Sequence, residues 1–223
     1  ELMLNNYLAS NPLMRSDGKN SEIELRFGSN RKFNPISKID YDNVAQTLYN
    51  NGFKPENPNG FYSLRISHEY YNTKEKRVKM SNIRTEIVGI DLIQEYCKTN
   101  SIQKILDMPS SNFDKIKFTQ KTRAKEDDKD IEAADFKEFN MRISYQLEQS
   151  YTARAPIVRN FIDDWADKKK TFRLLNRVRF VHETLPIYAD LSIVKWGKTT
   201  NNVQMKVWSI QDADVFNSPE TYE

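Results

Sequence analysis

The chain is poor in the residues on which many protein chemistries rest. It has one cysteine, Cys97, in 223 residues. That excludes an intramolecular disulfide and suits a reducing compartment. Cys97 falls in the apolar pattern of a helix, as a small hydrophobe and not as a nucleophile. Two histidines, His68 and His182, are too few for a zinc cluster. Glycine is scarce, at six residues, and no glycine-rich phosphate loop is present. There is no secretory signal and no apolar run long enough to span a bilayer. Charge of one sign is also missing. Lys and Arg number 34 against 31 Asp and Glu, a formal net charge of +3, too mild to argue for a nucleic-acid binder from bulk charge. No internal repeat or low-complexity linker divides the chain, so residues 1–223 read as a single domain.

What is present is strands with one charged face. Glu22-Ile23-Glu24-Leu25-Arg26-Phe27-Gly28 alternates strictly. Glu22, Glu24 and Arg26 point to one side and Ile23, Leu25 and Phe27 to the other. Two carboxylates about 7 Å apart on one strand face repel unless a cation or solvent intervenes. They can share a hard ion such as Mg²⁺ or Mn²⁺, and an arginine beside them can meet a phosphate held there. The bland alternative is a solvated face of mixed charge.

Later segments repeat the pattern with basic residues. Strands are expected over 61–72 and 77–88, joined by a charged turn at 73–76, and over 113–125, 138–150, 171–183, 187–196 and 203–210. Lys115, Lys117, Thr119, Lys121 and Arg123 share a face, as do Asn140, Arg142, Ser144, Gln146 and Glu148. Arg173, Arg177 and Arg179 share another, and Arg84 and Glu86 another. Helices are expected over 2–14, from Asp40 to about Asn51, 91–100 and 156–166. Residues 125–135 read as an exposed loop and 197–202 as a turn. The fold class is α+β, mainly β. Either the charged faces lie in water, or one closed sheet folds them inward around an anion. Lys168-Lys169-Lys170 reads as a solvated turn, and Trp165, Trp196 and Trp208 as packing residues, since nothing in the sequence places them beside the basic faces.

The Glu-x-Glu-x-Arg-x-Gly strand resembles the first strand of the triphosphate tunnel metalloenzymes. Met141-Arg142-Ile143-Ser144 with Glu148, the Arg173–Arg177 segment, Ala189-Asp190-Leu191-Ser192-Ile193-Val194-Lys195 and the closing Pro219-Glu220-Thr221-Tyr222-Glu223 resemble later family strands in order. Together with Arg84-Thr85-Glu86-Ile87, the pattern is most similar to RNA 5′-triphosphatase domains of mRNA-capping enzymes from large DNA (giant) viruses. The resemblance implies a closed antiparallel eight-stranded β-barrel, the triphosphate tunnel, with helices packed outside. It implies hydrolysis of the γ-phosphate of 5′-triphosphate RNA, the first step of cap formation, with Mn²⁺ or Mg²⁺ as cofactor. Nucleoside triphosphates are further candidate substrates.

By the same resemblance Glu22 and Glu24 match metal-binding carboxylates, and Glu223 the first glutamate of the family's last strand. Arg142 and Arg177 match phosphate-binding arginines. Arg26, Arg84, Lys121 and Arg173 extend the basic wall. Asp190 and Glu148 match acidic positions, Asp190 to orient water or a basic side chain. The family's basic strand reads Arg-x-Lys-x-Arg, but here the central residue is Leu175, so Arg179, Lys195 or a neighbouring strand supplies that charge. The resemblance also implies a fragment of a longer chain continuing into a guanylyltransferase domain, no membrane partner, and a place in the virion or in the cytoplasmic factory of the infected cell. Other readings stay open: a tunnel enzyme acting on inorganic or small-molecule triphosphates, a non-catalytic module that binds anions or RNA ends, and a scaffold. Removal of Glu22 and Glu24 separates the binding module, which would survive it, from the enzymes.

Overall fold

The computed structural model describes residue 5 and residues 18–28, 35–108, 114–199 and 208–223. Twelve strands appear in it: β1 (Asn20–Phe27), β2 (Phe53–Pro55), β3 (Phe61–Asn72), β4 (Arg77–Val88), β5 (Ile116–Arg123), β6 (Lys125–Glu126), β7 (Lys129–Asp130), β8 (Ala134–Phe136), β9 (Met141–Tyr151), β10 (Lys170–His182), β11 (Tyr188–Lys198) and β12 (Thr221–Tyr222). Four α-helices accompany them: α1 (Lys38–Asn50), α2 (Ile90–Thr99), α3 (Ile102–Leu106) and α4 (Pro156–Asp163). The helix expected over 2–14, residue 5 apart, and positions 203–207 of the last expected strand lie outside the described residues. Residues 208–210 form no strand, and residues 197 and 198 continue β11 where a turn was expected. The segment 125–135, expected as a loop, instead folds into the β6–β7 ribbon and starts β8.

The main sheet is antiparallel, in the order β1-β9-β5-β4-β3-β10-β11-β12, with β2 added to β10 and β8 to β9. Period-two alternation gives the long strands of this sheet an apolar face and a polar face. Leu64, Ile66, Ile83, Ile87, Ile116, Phe118 and Phe172 all lie on one side. That side packs against Leu92, Ile93 and Tyr96 of α2, Ile102 and Ile105 of α3, and Val158, Phe161 and Ile162 of α4. Burying such a side chain fully is worth about 1.5–3 kcal/mol, so this layer carries the fold. Cys97 packs half-buried against it, where burial raises its thiol pKa, in keeping with an inert role. Helix α1 starts from a capping box: the Ser37 hydroxyl accepts from the Asp40 amide and Asp40 accepts from the Ser37 amide. The cap is therefore Ser37, three residues before the expected Asp40.

The helices cover the apolar face, leaving the polar face to the concave side of a curled sheet. Its charged groups are sheltered all the same: the Arg65 and Glu86 side chains are 15% and 13% exposed. Among the described residues no helix packs its core residues on that face. The closed barrel is corrected in one respect: the sheet is an open half-barrel, and among the described residues β1 and β12 do not pair. β12 pairs with Ile193 and Val194 of β11, and Glu223 continues the pairing to Ser192. The two edges nevertheless approach. Ile36 bridges Tyr222, and a Cβ built on Gly28, just past β1, would lie 2.4 Å from Ile36 Cγ1.

Candidate functional site

Register decides which charges meet. In one row across the concave face, Trp196 of β11 stands opposite Arg173 of β10, then Arg65 of β3, Glu86 of β4 and Lys117 of β5. The next row holds Lys198, Thr171, Ser67, Arg84, Thr119 and Ser150. Further along β10, Arg177 stands opposite Ser192 and Arg179 opposite Asp190. On the other limb Lys121 faces Glu148, Glu22 faces Gln146, Glu24 faces Ser144, and Arg26 faces Arg142.

The arginines are held in defined directions. Asp190 accepts from Arg177 Nη1 at 2.9 Å and from Arg179 Nε and Nη2 at 2.8 and 2.9 Å. Arg177 Nε also donates to Ser192 Oγ at 2.9 Å. Arg179 lies 4.0 Å from the centroid of the Tyr188 ring. Arg65 Nε donates to Glu86 Oε1 at 2.8 Å. Burial pushes the Glu86 carboxyl upward, but Arg65 and Arg84 outweigh it and leave it below the usual range. Burial and the like charge of Arg65 both lower the pKa of Arg84 and of Arg177. Like charges have been gathered at a cost, which an anionic guest would offset.

Several polar atoms in this face await a partner. Arg84 Nε, Thr119 Oγ1 and Ser144 Oγ are buried with no hydrogen-bond partner. Arg84 and Thr119 are cross-strand neighbours, so a donor and a hydroxyl lie side by side. Buried polar groups are seldom left unmet in native proteins. A polyanion with many acceptor oxygens suits these donors.

The carboxylates are differently placed. Glu22 accepts from Lys121, whose ammonium also lies 3.3 Å from Glu148. Glu24 lies 3.4 Å from Arg26. Glu223 accepts from Arg173 Nη2 at 2.6 and 2.5 Å. Oxygen donors from one strand face have the right chemistry for a hard divalent ion, and Glu22 and Glu24 fit it. Glu223 does not join them: among the described residues no three acidic, histidine or cysteine side chains are gathered as a metal site. Glu223 is instead taken up by Arg173.

Further expectations are corrected. Lys195 pairs with Leu174 on the apolar face, and its ammonium donates to the Phe216 carbonyl at 3.0 Å. Its odd position in β11 sets it opposite in parity to Asp190 and Ser192. Leu175 is fully buried on the polar face beside Val194, and its partner on β3 is Ser63. Arg142 lies on the polar face but is held bidentately by Asp135 of β8, at 2.6 and 2.8 Å. That hydrogen bond raises its pKa. Lys170 is no solvated turn: it is 1% exposed and donates to the carbonyls of Lys168 and Trp208. Trp165 is core, as expected, but Trp196 stands on the basic face. Arg65 and Asp135 were not singled out from the sequence, and Trp196 was read there as a packing residue. The signal for Arg65 was there, since Ser63, Arg65 and Ser67 alternate with Leu64 and Ile66.

The fold and the site thus define a curled antiparallel sheet whose concave face gathers arginines beside unmet polar atoms. No protein-family model matches the sequence, and no curated protein does. Among solved structures the fold is similar to the Mimivirus capping enzyme triphosphatase, with a TM-score of 0.54 at 15% identity over 98% of this chain and 83% of that one. It is likewise similar to the RNA triphosphatase domain of a trifunctional mimivirus mRNA capping enzyme, with a TM-score of 0.53 at 17% identity over 97% and 83%. At such identities the likeness is one of fold. No helix among the described residues is long and apolar enough to cross a membrane.

Proposed function

We propose that the chain is a divalent-metal-dependent RNA 5′-triphosphatase of the tunnel type, removing the γ-phosphate in the first step of cap formation. One observation carries this: Arg65, Arg84, Arg173, Arg177 and Arg179 share the concave face, with the unmet Arg84 Nε and Thr119 Oγ1 side by side at one end of the group. The fold likeness to viral capping triphosphatases supports the choice of RNA over other polyanions. On this reading residues 1–223 are one tunnel domain, joined in a longer capping enzyme to a guanylyltransferase and working in the viral factory of an infected cell. The gap between β1 and β12 would then close into a complete tunnel.

A triphosphate brings several negative charges, and its hydrolysis needs positive groups around the transferred phosphoryl. Arg177 and Arg179, aimed by Asp190, would take its non-bridging oxygens. Arg65, Arg84 and Arg173 would hold the leaving diphosphate. Lys121, set between Glu22 and Glu148, would neutralise charge from the opposite limb. Glu22 and Glu24 would hold Mn²⁺ or Mg²⁺, which when bound neutralises phosphate charge and orients water for in-line attack. No Ser, Cys or His nucleophile is called for.

The test is phosphate release from γ-labelled triphosphate-ended RNA, with and without Mn²⁺. Glu24→Ala and Arg177→Gln should each lower kcat by on the order of 100-fold. Release that ignores both substitutions would overturn the assignment. Tight RNA-end binding without release would move the chain to the class of binding modules.

A further inference from the structure

We propose that Trp196 is a stacking platform for the first base of a triphosphate-ended nucleotide chain. The proposal rests on the triphosphatase reading and deepens it, naming nucleotide-linked triphosphates over inorganic triphosphate as the ligands of the site.

The placement comes from register. Trp196 is the cross-strand partner of Arg173, and Arg173 that of Arg65. All three side chains project from the polar face of the sheet. Two strand spacings, about 10 Å, separate Trp196 from Arg65. Ribose and an α-phosphate fill that kind of span between a base and its outer phosphates. Lys198, two residues along β11 on the same face, is exposed and placed to meet the next phosphodiester.

The indole is also free to stack. Trp196 is 49% exposed, whereas Trp165 is buried in the core and Trp208 lies beneath the Lys169 ammonium. Among the described residues no aromatic ring or cation packs on the Trp196 ring. Only its backbone amide is engaged, donating to Ser218 Oγ at 3.1 Å. Tyr188, the aromatic residue near the other end of β10, differs in this respect, because Arg179 already covers its ring. Leu175 and Val194, apolar residues of the same face, are buried, whereas the Trp196 ring is left half-exposed. Bases stack on such rings irrespective of sequence, each contact being worth about 1–3 kcal/mol.

The experiment compares initial phosphate release from a triphosphate-ended RNA trinucleotide and from inorganic tripolyphosphate, both with Mn²⁺, for wild type, Trp196→Ala and Trp196→Phe. Tryptophan fluorescence is read in parallel. Trp196→Ala is expected to lower the RNA-to-tripolyphosphate ratio of kcat/KM about 10-fold, chiefly through KM. The RNA trinucleotide should quench wild-type fluorescence more than tripolyphosphate does. Trp196→Phe should lose that extra quench while keeping most of the ratio, which gives a reading even if the alanine variant fails to fold. An unchanged ratio in Trp196→Ala, or equal quenching by both ligands in wild type, overturns the platform and leaves the triphosphatase reading standing. Release from neither substrate by wild type overturns that reading, and the platform with it.

Discussion

His68 is neutral at physiological pH in this fold. It is 3% exposed, packed on Phe161 and near Trp165, with Lys168 and Lys170 close by. Burial first, and those ammonium groups second, pull its pKa down to about 4. The unfolded chain protonates it near the ordinary value of about 6.5. Between those two values the unfolded state binds more protons, so stability falls as pH drops from 6.5 towards 4. The size is about 3 kcal/mol, taking 1.36 kcal/mol per unit. In His68→Phe that component should vanish: urea melts at pH 6.5 and at pH 4 should differ by about 3 kcal/mol less than in wild type. An identical difference in both proteins would refute the buried neutral imidazole. Lys170 works in the same direction at higher pH, since burial takes its amine down to about 7. Its penalty is present in full below pH 7 and is relieved as pH rises from about 7 towards 10.5. Neither effect was legible in the sequence. His68 and the lysine run carry no mark of depth; Lys170 is buried beside its cross-strand partner His68, over the Trp165 ring and against the Trp208 carbonyl.

At the scale of elements the sequence was informative about period and weak about neighbours. β3, the turn after it and β4 stand where alternation put them, at Phe61–Asn72 and Arg77–Val88. The polar faces of β1, β5, β9 and β10 were likewise readable from parity alone. What parity cannot say is which strand lies beside which. Arg65 and Arg173 are far apart in sequence, and only pairing of β3 with β10 sets them in one row. Trp196 joined the site by the same route, through pairing of β11 with β10. Lys195 left it because a single residue of parity turns a side chain to the other face. Loops position these strands too. Gly60 precedes β3 at φ +64°, and a Cβ there would come 2.6 Å from the Arg177 carbonyl oxygen. Gly60→Ala therefore adds a left-handed backbone penalty of about 1 kcal/mol or more and presses on β10 at a phosphate-binding position. The variant should melt lower and bind tripolyphosphate more weakly. A variant as stable as wild type and binding as tightly would show that the turn adjusts without moving Arg177.

The whole molecule depends on how nearly the curled sheet meets itself. Its first and last strands are separated in space by little more than Ile36, which touches Gly28 on one side and bridges Tyr222 on the other. Tyr222 also lies 5.4 Å from the ring of Tyr41 on α1, so the helix, the edge strand and the segment after β1 share one junction. The next residue, Glu223, pairs with Ser192 and accepts from Arg173. Anything that pushes Ile36 outward therefore loosens the strand that occupies an arginine of the site. Gly28→Ala does this in two ways: Gly28 sits at φ +63°, and the added methyl meets Ile36 Cγ1 at 2.4 Å. The backbone part is local, but the collision depends on Ile36. Gly28→Ala alone should cost on the order of 2 kcal/mol. Combined with Ile36→Ala, it should cost less than the sum of the two single changes, because the smaller side chain accepts the methyl. Urea melts of the four proteins measure this coupling. Strictly additive losses would mean that the junction yields freely and that the edges of the sheet are not held together there. A favourable coupling, with tripolyphosphate binding weakened by Gly28→Ala and partly restored in the double variant, would tie closure of the half-barrel to occupancy of its charged face.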